Sequence, residues 1–255
     1  MTSLMNSKHI FAGIAALALA SVAACTTNET LGRSQLLLVD NAQLAEPAMA
    51  AWQETLKTSK ISTDAEMNCR VKTVGARIVQ AAGLSGQAWE YVVFDNPQPN
   101  AFVIPGNKVG VNSGLFKVVK NDDQLAAVLG HETGHNIAQH AAERYSQQVA
   151  TSVGIQVAAG ATSGRTQQVI SSYGGIGAQL GVILPFSRQH ELEADKIGVD
   201  LMVRAGYKPS ELIALWRNMA AQRTGGAQPQ FLSTHPSDDT RISQLEAYIK
   251  SKGYS

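Results

Sequence analysis

The sequence predicts an α+β fold, mainly helical, with a small β-sheet or hairpin ahead of one chemically distinctive helix. Three observations predict it. Apolar residues recur at three- and four-residue spacing in stretches that open near residues 64, 121, 187, 209 and 237. Alternating stretches joined by turn residues are confined to residues 88–112. Apolar residues make up 44% and charged residues 16% of 255, which suits a globular chain long enough to bury a core.

The elements follow in order. Lys8, the apolar run from Ile10 to Ala20 and the small residues Ser21 to Ala24 read as a signal peptide over residues 1–24. The run is shorter than the roughly 20 residues a bilayer span needs. Val22-Ala23-Ala24-Cys25 resembles a bacterial lipobox, so Cys25 is the expected lipidation site and the membrane an expected partner through that anchor. Thr26, where inner-membrane retention would place Asp, directs the expectation to the outer membrane. Residues 25–63 are expected to be a tether followed by an N-terminal helical segment, and residues 64–255 the main domain.

Within that domain, Asp64 to Ala82 carries a helical stripe (Met67, Val71, Val74, Ile78, Ala81) closed by Gly83. Ala88 to Asp95 reads as a strand with Trp89, Tyr91 and Val93 on one face. Ala101 to Ile104 and Lys108 to Asn112 read as two more, joined by Pro105-Gly106-Asn107. Asn121 or Asp122 caps a helix expected to run to about Gln148. Val149 to Leu184, rich in Gly, Ala and Ser, suggests two weak helices that could act as a lid. A strong helix spans Ser187 to Ala205 and stops at Gly206. Pro209 opens another to about Gln222, and Ser237 caps a last one through Ile242, Leu245 and Ile249.

Lys plus Arg, 21, nearly equals Asp plus Glu, 20, which gives no general attraction to nucleic acid. The two cysteines exclude a disulfide scaffold, and Cys69 is expected to be a buried small hydrophobe.

The chemistry concentrates on His131-Glu132-Thr133-Gly134-His135. Histidines four apart share one helix face and can hold one Zn²⁺, with Glu132 beside them as general base. Gly134 leaves room for a close approach. A third ligand is needed. The positions where an extended motif would place Gly and His are Ala138 and Ala141, so a later helix must supply it. Glu191 and Asp195 share a face there. Glu191 is the expected ligand, and Asp195 the acceptor of a ligand histidine's spare N–H. His190 is the alternative ligand. Glu193, about 200° round the helix from Glu191, is expected to be a solvated charge. By the same geometry His140 lies on the far side from His131 and is expected to be structural.

HExxH, then Ser187-Arg188-Gln189-His190-Glu191-Leu192-Glu193-Ala194-Asp195, with Asn100-Ala101-Phe102, Pro105-Gly106, His235-Pro236 and Arg241, resembles the HtpX, BepA and LoiP group of bacterial zinc metallopeptidases. The lipobox and short chain make it look most like the LoiP-type lipoproteins. The resemblance implies a zincin-like gluzincin domain with one Zn²⁺ per chain that cleaves unfolded or misfolded proteins in the cell envelope. Lys108, Val109, Gly110, Val111 and Asn112 are the candidate edge strand for pairing with an extended substrate. His235 is either an oxyanion donor or a fourth ligand that holds the enzyme latent, and Arg241 braces its loop. The rival function is a chaperone or assembly factor working with envelope machinery. A purely structural lipoprotein is disfavoured, because a structural zinc site has no use for Glu132.

Overall fold

The computed structural model describes residues 25–158, 186–221, 230–236 and 239–254. The expected signal peptide, the Gly/Ala-rich stretch beyond residue 158 and Ser237 lie outside the described residues. Among those described, no helix is long and apolar enough to cross a membrane.

The chain opens on an antiparallel hairpin, β1 (Cys25–Asn28) and β2 (Arg33–Leu36), in the register Cys25↔Leu36 to Asn28↔Arg33. This segment was expected to be a tether. Its turn is made by Gly32 at φ +64°, and Gln35 of β2 is buried. Helix α1 (Asn41–Thr58) follows, opened by an Asp40/Gln43 capping box. Its buried face places Ala48 and Trp52 against Phe94 and Ile104 of the sheet.

Helix α2 (Ala65–Ala81) starts where the Asp64 carboxylate accepts the Met67 N–H. It buries Val71, Val74 and Ile78, and the chain leaves through Gly83 at φ +73°. Three strands then form one sheet: β3 (Glu90–Phe94), β4 (Ala101–Ile104) and β5 (Lys108–Asn112). Their order is β3-β5-β4, with β3 parallel and β4 antiparallel to β5. Lys108–Asn112 is therefore the central strand, not the edge. The tight Pro105-Gly106-Asn107 connection, with two positive φ values, folds β5 back inside β4, and β3 then closes its other side. The sheet edge beside the chemical helix is β4, three of whose four residues are buried.

That helix, α3 (Asp122–Ile137), is capped by Asn121, whose side chain accepts the Gln124 N–H. Every residue from Gln124 to His135 is buried, so α3 is the central rod of the domain. It ends sooner than expected. Ala138 caps it, Gln139 turns left-handed at φ +54°, and α4 (His140–Ala158) departs in a new direction. Helix α5 (Arg188–Arg204), capped by Ser187, packs along α3. Helices α6 (Ser210–Ala221), α7 (Gln230–Thr234) and α8 (Asp239–Ser251) complete the core around Leu212, Trp216, Phe231 and Leu245.

The contact between α3 and α5 is close because each helix carries glycine at it. A Cβ on Gly134 would lie 2.6 Å from the Ala194 carbonyl oxygen, and one on Gly198 3.0 Å from the His131 amide nitrogen. Glycine at these places lets two backbones approach until side chains on each reach a common point. Cys69, in contrast, is exposed on α2 and is not the buried small hydrophobe expected.

Candidate metal centre

Helix α3 points His131 and His135 to one face, as two residues four apart must be. Helix α5 brings Glu191 to the same place, and the loop after α7 brings His235. The distances are 3.0 Å between the two Nε2 atoms of His131 and His135, and 3.1 Å from His131 Nε2 to His235 Nδ1. Glu191 Oε1 lies 3.0 Å from His235 Nδ1 and 3.4 Å from His135 Nε2. One ligand atom from each of the four residues lies within 4.8 Å of all the others.

These separations suit donors around a single small ion, because tetrahedral nitrogens about 2.0–2.1 Å from Zn²⁺ sit roughly 3.3 Å apart. The donor set agrees. His131 Nδ1 is 2.7 Å from Asp195 Oδ1, and a carboxylate can only accept, so His131 carries its proton on Nδ1 and turns a lone pair inward from Nε2. Arg241 holds the second Asp195 oxygen at 2.6 Å, reaches Glu191 Oε2 at 2.8 Å and binds the Pro236 carbonyl at 2.8 Å.

The groups are tuned by their surroundings. Burial would lift Glu191, but His235 and Arg241 outweigh it and hold the carboxyl well below its usual range. Burial would likewise lift Asp195, and Arg241 and His131 keep it low. Burial drives His135 well down, so its imidazole stays neutral, the form that binds metal. Glu132 goes the other way, raised chiefly by burial. Its Oε2 accepts the Val103 N–H from edge strand β4 at 3.1 Å. Oε1 accepts no hydrogen bond and faces His235 Nε2 at 3.4 Å. A carboxyl that is buried, raised and held by one backbone amide suits proton transfer in both directions.

Residues 65–249 match Peptidase family M48. The chain belongs to peptidase family M48. It is similar to the mitochondrial metalloendopeptidase OMA1 of Schizosaccharomyces pombe, with 40% identity over 182 residues, 70% of this chain and 52% of that protein. Against OMA1 of Bos taurus the identity is 30% over 263 residues, 96% of this chain and 50% of that one. Against the beta-barrel assembly-enhancing protease of Yersinia pestis it is 32% over 180 residues, 68% of this chain and 37% of that one. The chain thus spans about half, or less, of each relative's length. His131, Glu132, His135, Glu191 and His235 all lie within the M48 match.

Around the M48 centre the structure departs from the sequence-based expectations in three places. Lys108, Val109, Gly110, Val111 and Asn112 are paired on both sides, so the sheet edge beside α3 is β4 instead. Glu193 is no solvated charge. It is part-buried and bonded to Arg33 and His140. His140 does not lie on the far side, because the ideal-helix angle fails once the chain turns at Gln139, and its Nδ1 comes to 3.0 Å from His135 Nδ1. His190, named only as the alternative to Glu191, does not join the four-residue cluster. It stacks on His140 at 4.4 Å and bonds Glu143 at 3.1 Å. Sequence reasoning missed Arg33, Glu143, Val103 and Phe186. Only Glu143 left a signal, as it sits three residues after His140 on one helix face. Phe186 stacks on His135 with ring centroids 4.0 Å apart, and Arg144 lies 4.0 Å over the same Phe186 ring.

Proposed function

We propose that this chain is a zinc-dependent metalloendopeptidase that cleaves unfolded or misfolded proteins in the bacterial cell envelope, where Cys25 anchors it as a LoiP-like lipoprotein, on the outer membrane. The carrying observation is that His131, His135 and Glu191 converge on one point with the buried carboxyl of Glu132 beside it. His131, His135 and Glu191 would hold the zinc. A zinc ion there supplies Lewis-acid activation of water and of the scissile carbonyl. Glu132 takes the attacking water's proton and delivers it to the leaving amine, a role its raised pKa suits. Asp195 and Arg241 keep His131 in the tautomer and orientation the ligand role needs.

An extended substrate segment pairs with β4 through main-chain hydrogen bonds, which ask little of sequence and much of unfoldedness. The similarity to the beta-barrel assembly-enhancing protease supports an envelope role with assembly machinery as a partner. The lipobox at Val22 to Cys25 supports the anchor. The test is casein degradation by the zinc-loaded chain beside Glu132→Gln and beside a chelator-treated sample. Activity lost in both, with zinc still bound to Glu132→Gln, is the expected result. Activity surviving in Glu132→Gln refutes the assignment of the base.

One observation favours a second, latent reading. His235 sits within 3.1 Å of His131 Nε2 and 3.0 Å of Glu191 Oε1, and every residue of the cluster is buried. As a fourth ligand His235 would exclude water, and the chain would act as a chaperone or assembly factor until its loop moves. His235→Ala separates the roles. Faster proteolysis supports latency, a large loss supports an oxyanion donor, and no change removes both.

A further inference from the structure

His131 is steadied by a carboxylate and an arginine from within the M48-matched residues. His135 is steadied by a longer line that ends outside them. His135 Nδ1 lies 3.0 Å from His140 Nδ1, and His140 Nε2 lies 3.0 Å from Glu193 Oε2. Arg33 Nε and Nη2 hold the two Glu193 oxygens at 2.6 and 2.8 Å. The same guanidinium grips both Glu143 oxygens at 2.7 and 2.8 Å, and Gln35 adds a bond to Glu143 at 2.7 Å and one to the Ala138 carbonyl at 2.8 Å. Arg33 and Gln35 belong to β2, ahead of the matched residues 65–249.

The order of protons along this line follows from what each group can do. Glu193 is ionised under the Arg33 fork and can only accept, so His140 carries its proton on Nε2. A neutral His140 then offers a lone pair from Nδ1. His135 must donate into it from its own Nδ1, which leaves its Nε2 bare and aimed at Glu191 and His131. With both rings neutral, no other arrangement satisfies both the Nδ1–Nδ1 contact and the contact of His140 Nε2 with Glu193.

We propose that Arg33 is a positioning residue for the metal: through Glu193 and His140 it fixes the tautomer and orientation of His135, so the N-terminal hairpin completes a centre otherwise built within the family domain. This rests on the reading that His131, His135 and Glu191 hold zinc. The neighbouring group His140, Glu143 and His190 also brings ligand atoms within 4.8 Å. A cation there would have to displace Arg33 and Gln35 from Glu143, the group's one carboxylate, so the group serves as a frame of hydrogen bonds instead. The linkage runs in both directions. Whatever Arg33 adds to zinc affinity, bound zinc adds to the docking of the hairpin.

The test measures the zinc dissociation constant of the full chain by competition with a chromogenic chelator, and the visible spectrum of the cobalt-substituted form. Arg33→Met breaks the line at its end and Glu193→Met in its middle. Glu193→Gln restores an acceptor for His140. Arg70→Met, which removes an ion pair with Asp122 at the start of α3, touches no ligand. The expected result is zinc binding weakened about tenfold or more in Arg33→Met and Glu193→Met. The cobalt spectrum shifts in both, affinity partly recovers in Glu193→Gln, and Arg70→Met behaves as the parent. Parental affinity and spectrum in both methionine variants overturns the proposal while leaving the zinc reading intact. A parent that binds no zinc overturns the zinc reading itself, and the proposal with it. Should Arg33→Met fail to fold, Glu193→Met decides, since it leaves Arg33 on Glu143.

Discussion

Adding one methyl group at Gly134 tests the geometry of the whole centre. The new Cβ would sit 2.6 Å from the Ala194 carbonyl oxygen and 3.1 Å from its Cα, all backbone atoms of α5. Ordinary contact asks for roughly 0.8 Å more, and no side-chain rotation can supply it. Helices α3 and α5 must part. Overpacking of this kind costs about 1–3 kcal/mol. Alanine's better helix propensity returns about 1 kcal/mol, so the apoprotein should lose no more than about 2 kcal/mol. The metal should suffer more. Ligand distances tolerate about 0.2 Å, and Glu191 rides on the helix that moves while His131 and His135 stay. Gly134→Ala is therefore expected to weaken zinc by about tenfold or more, with only a modest drop in apoprotein melting temperature. Chelator competition and circular dichroism melting measure the two effects. Gly86→Ala, which meets nothing within 4 Å, is the control. Parental zinc affinity in Gly134→Ala would refute the claim that close helix contact sets the site.

Other perturbations follow from the same structure. Trp52 is fully buried between Phe94 and Phe102, with ring centroids 5.8 and 6.3 Å away. Trp52→Ala should cost about 3–5 kcal/mol in urea unfolding, and no loss of stability would show that α1 is not part of the folded core. Glu143 gives a pH signature. Burial alone would raise its carboxyl, but His190, Arg33 and Gln35 overcome it and hold the group down to about 2. Its folded value is thus below its unfolded one, and its contribution is complete above the unfolded carboxylate range and lost as pH falls toward 2. Melting temperature against pH should fall more steeply below about 4.5 in the parent than in Glu143→Gln, and parallel curves would count against the ion pair. Asn121→Ala removes the cap of α3 and should cost about 1 kcal/mol without changing the identity of the ligands.

Much of this was legible in the sequence because it depends on local rules. The helix starts near Asp64 and Ser187, the cap at Asn121, the stop glycines 83 and 206, and the four-residue spacing in both ligand helices are short-range facts. The illegible parts are long-range. Strand order decides that β5 is central, and nothing within Lys108–Asn112 tells a central strand from an edge one. The break after α3 falls on Gln139, with no Gly or Pro to announce a left-handed residue, so ideal-helix angles place His140 on the wrong side. Nothing local marks Glu193 as paired, because its cation, Arg33, lies 160 residues away. The hairpin itself gave little pattern beyond Gly32 and the threonines of β1, and its strands are only four residues long.

The register of that hairpin bears on how the domain would meet a membrane. Cys25 is paired across to Leu36, and two residues later the Leu38 amide is bonded to Ser146 of α4 at 2.9 Å. An acyl group on Cys25 would therefore hang from a residue already stitched to the domain, with no slack chain between them. The protein could not swing out on a leash to sample the space above the lipid. The hairpin end of the domain would be held at the lipid, within the reach of the acyl linkage itself.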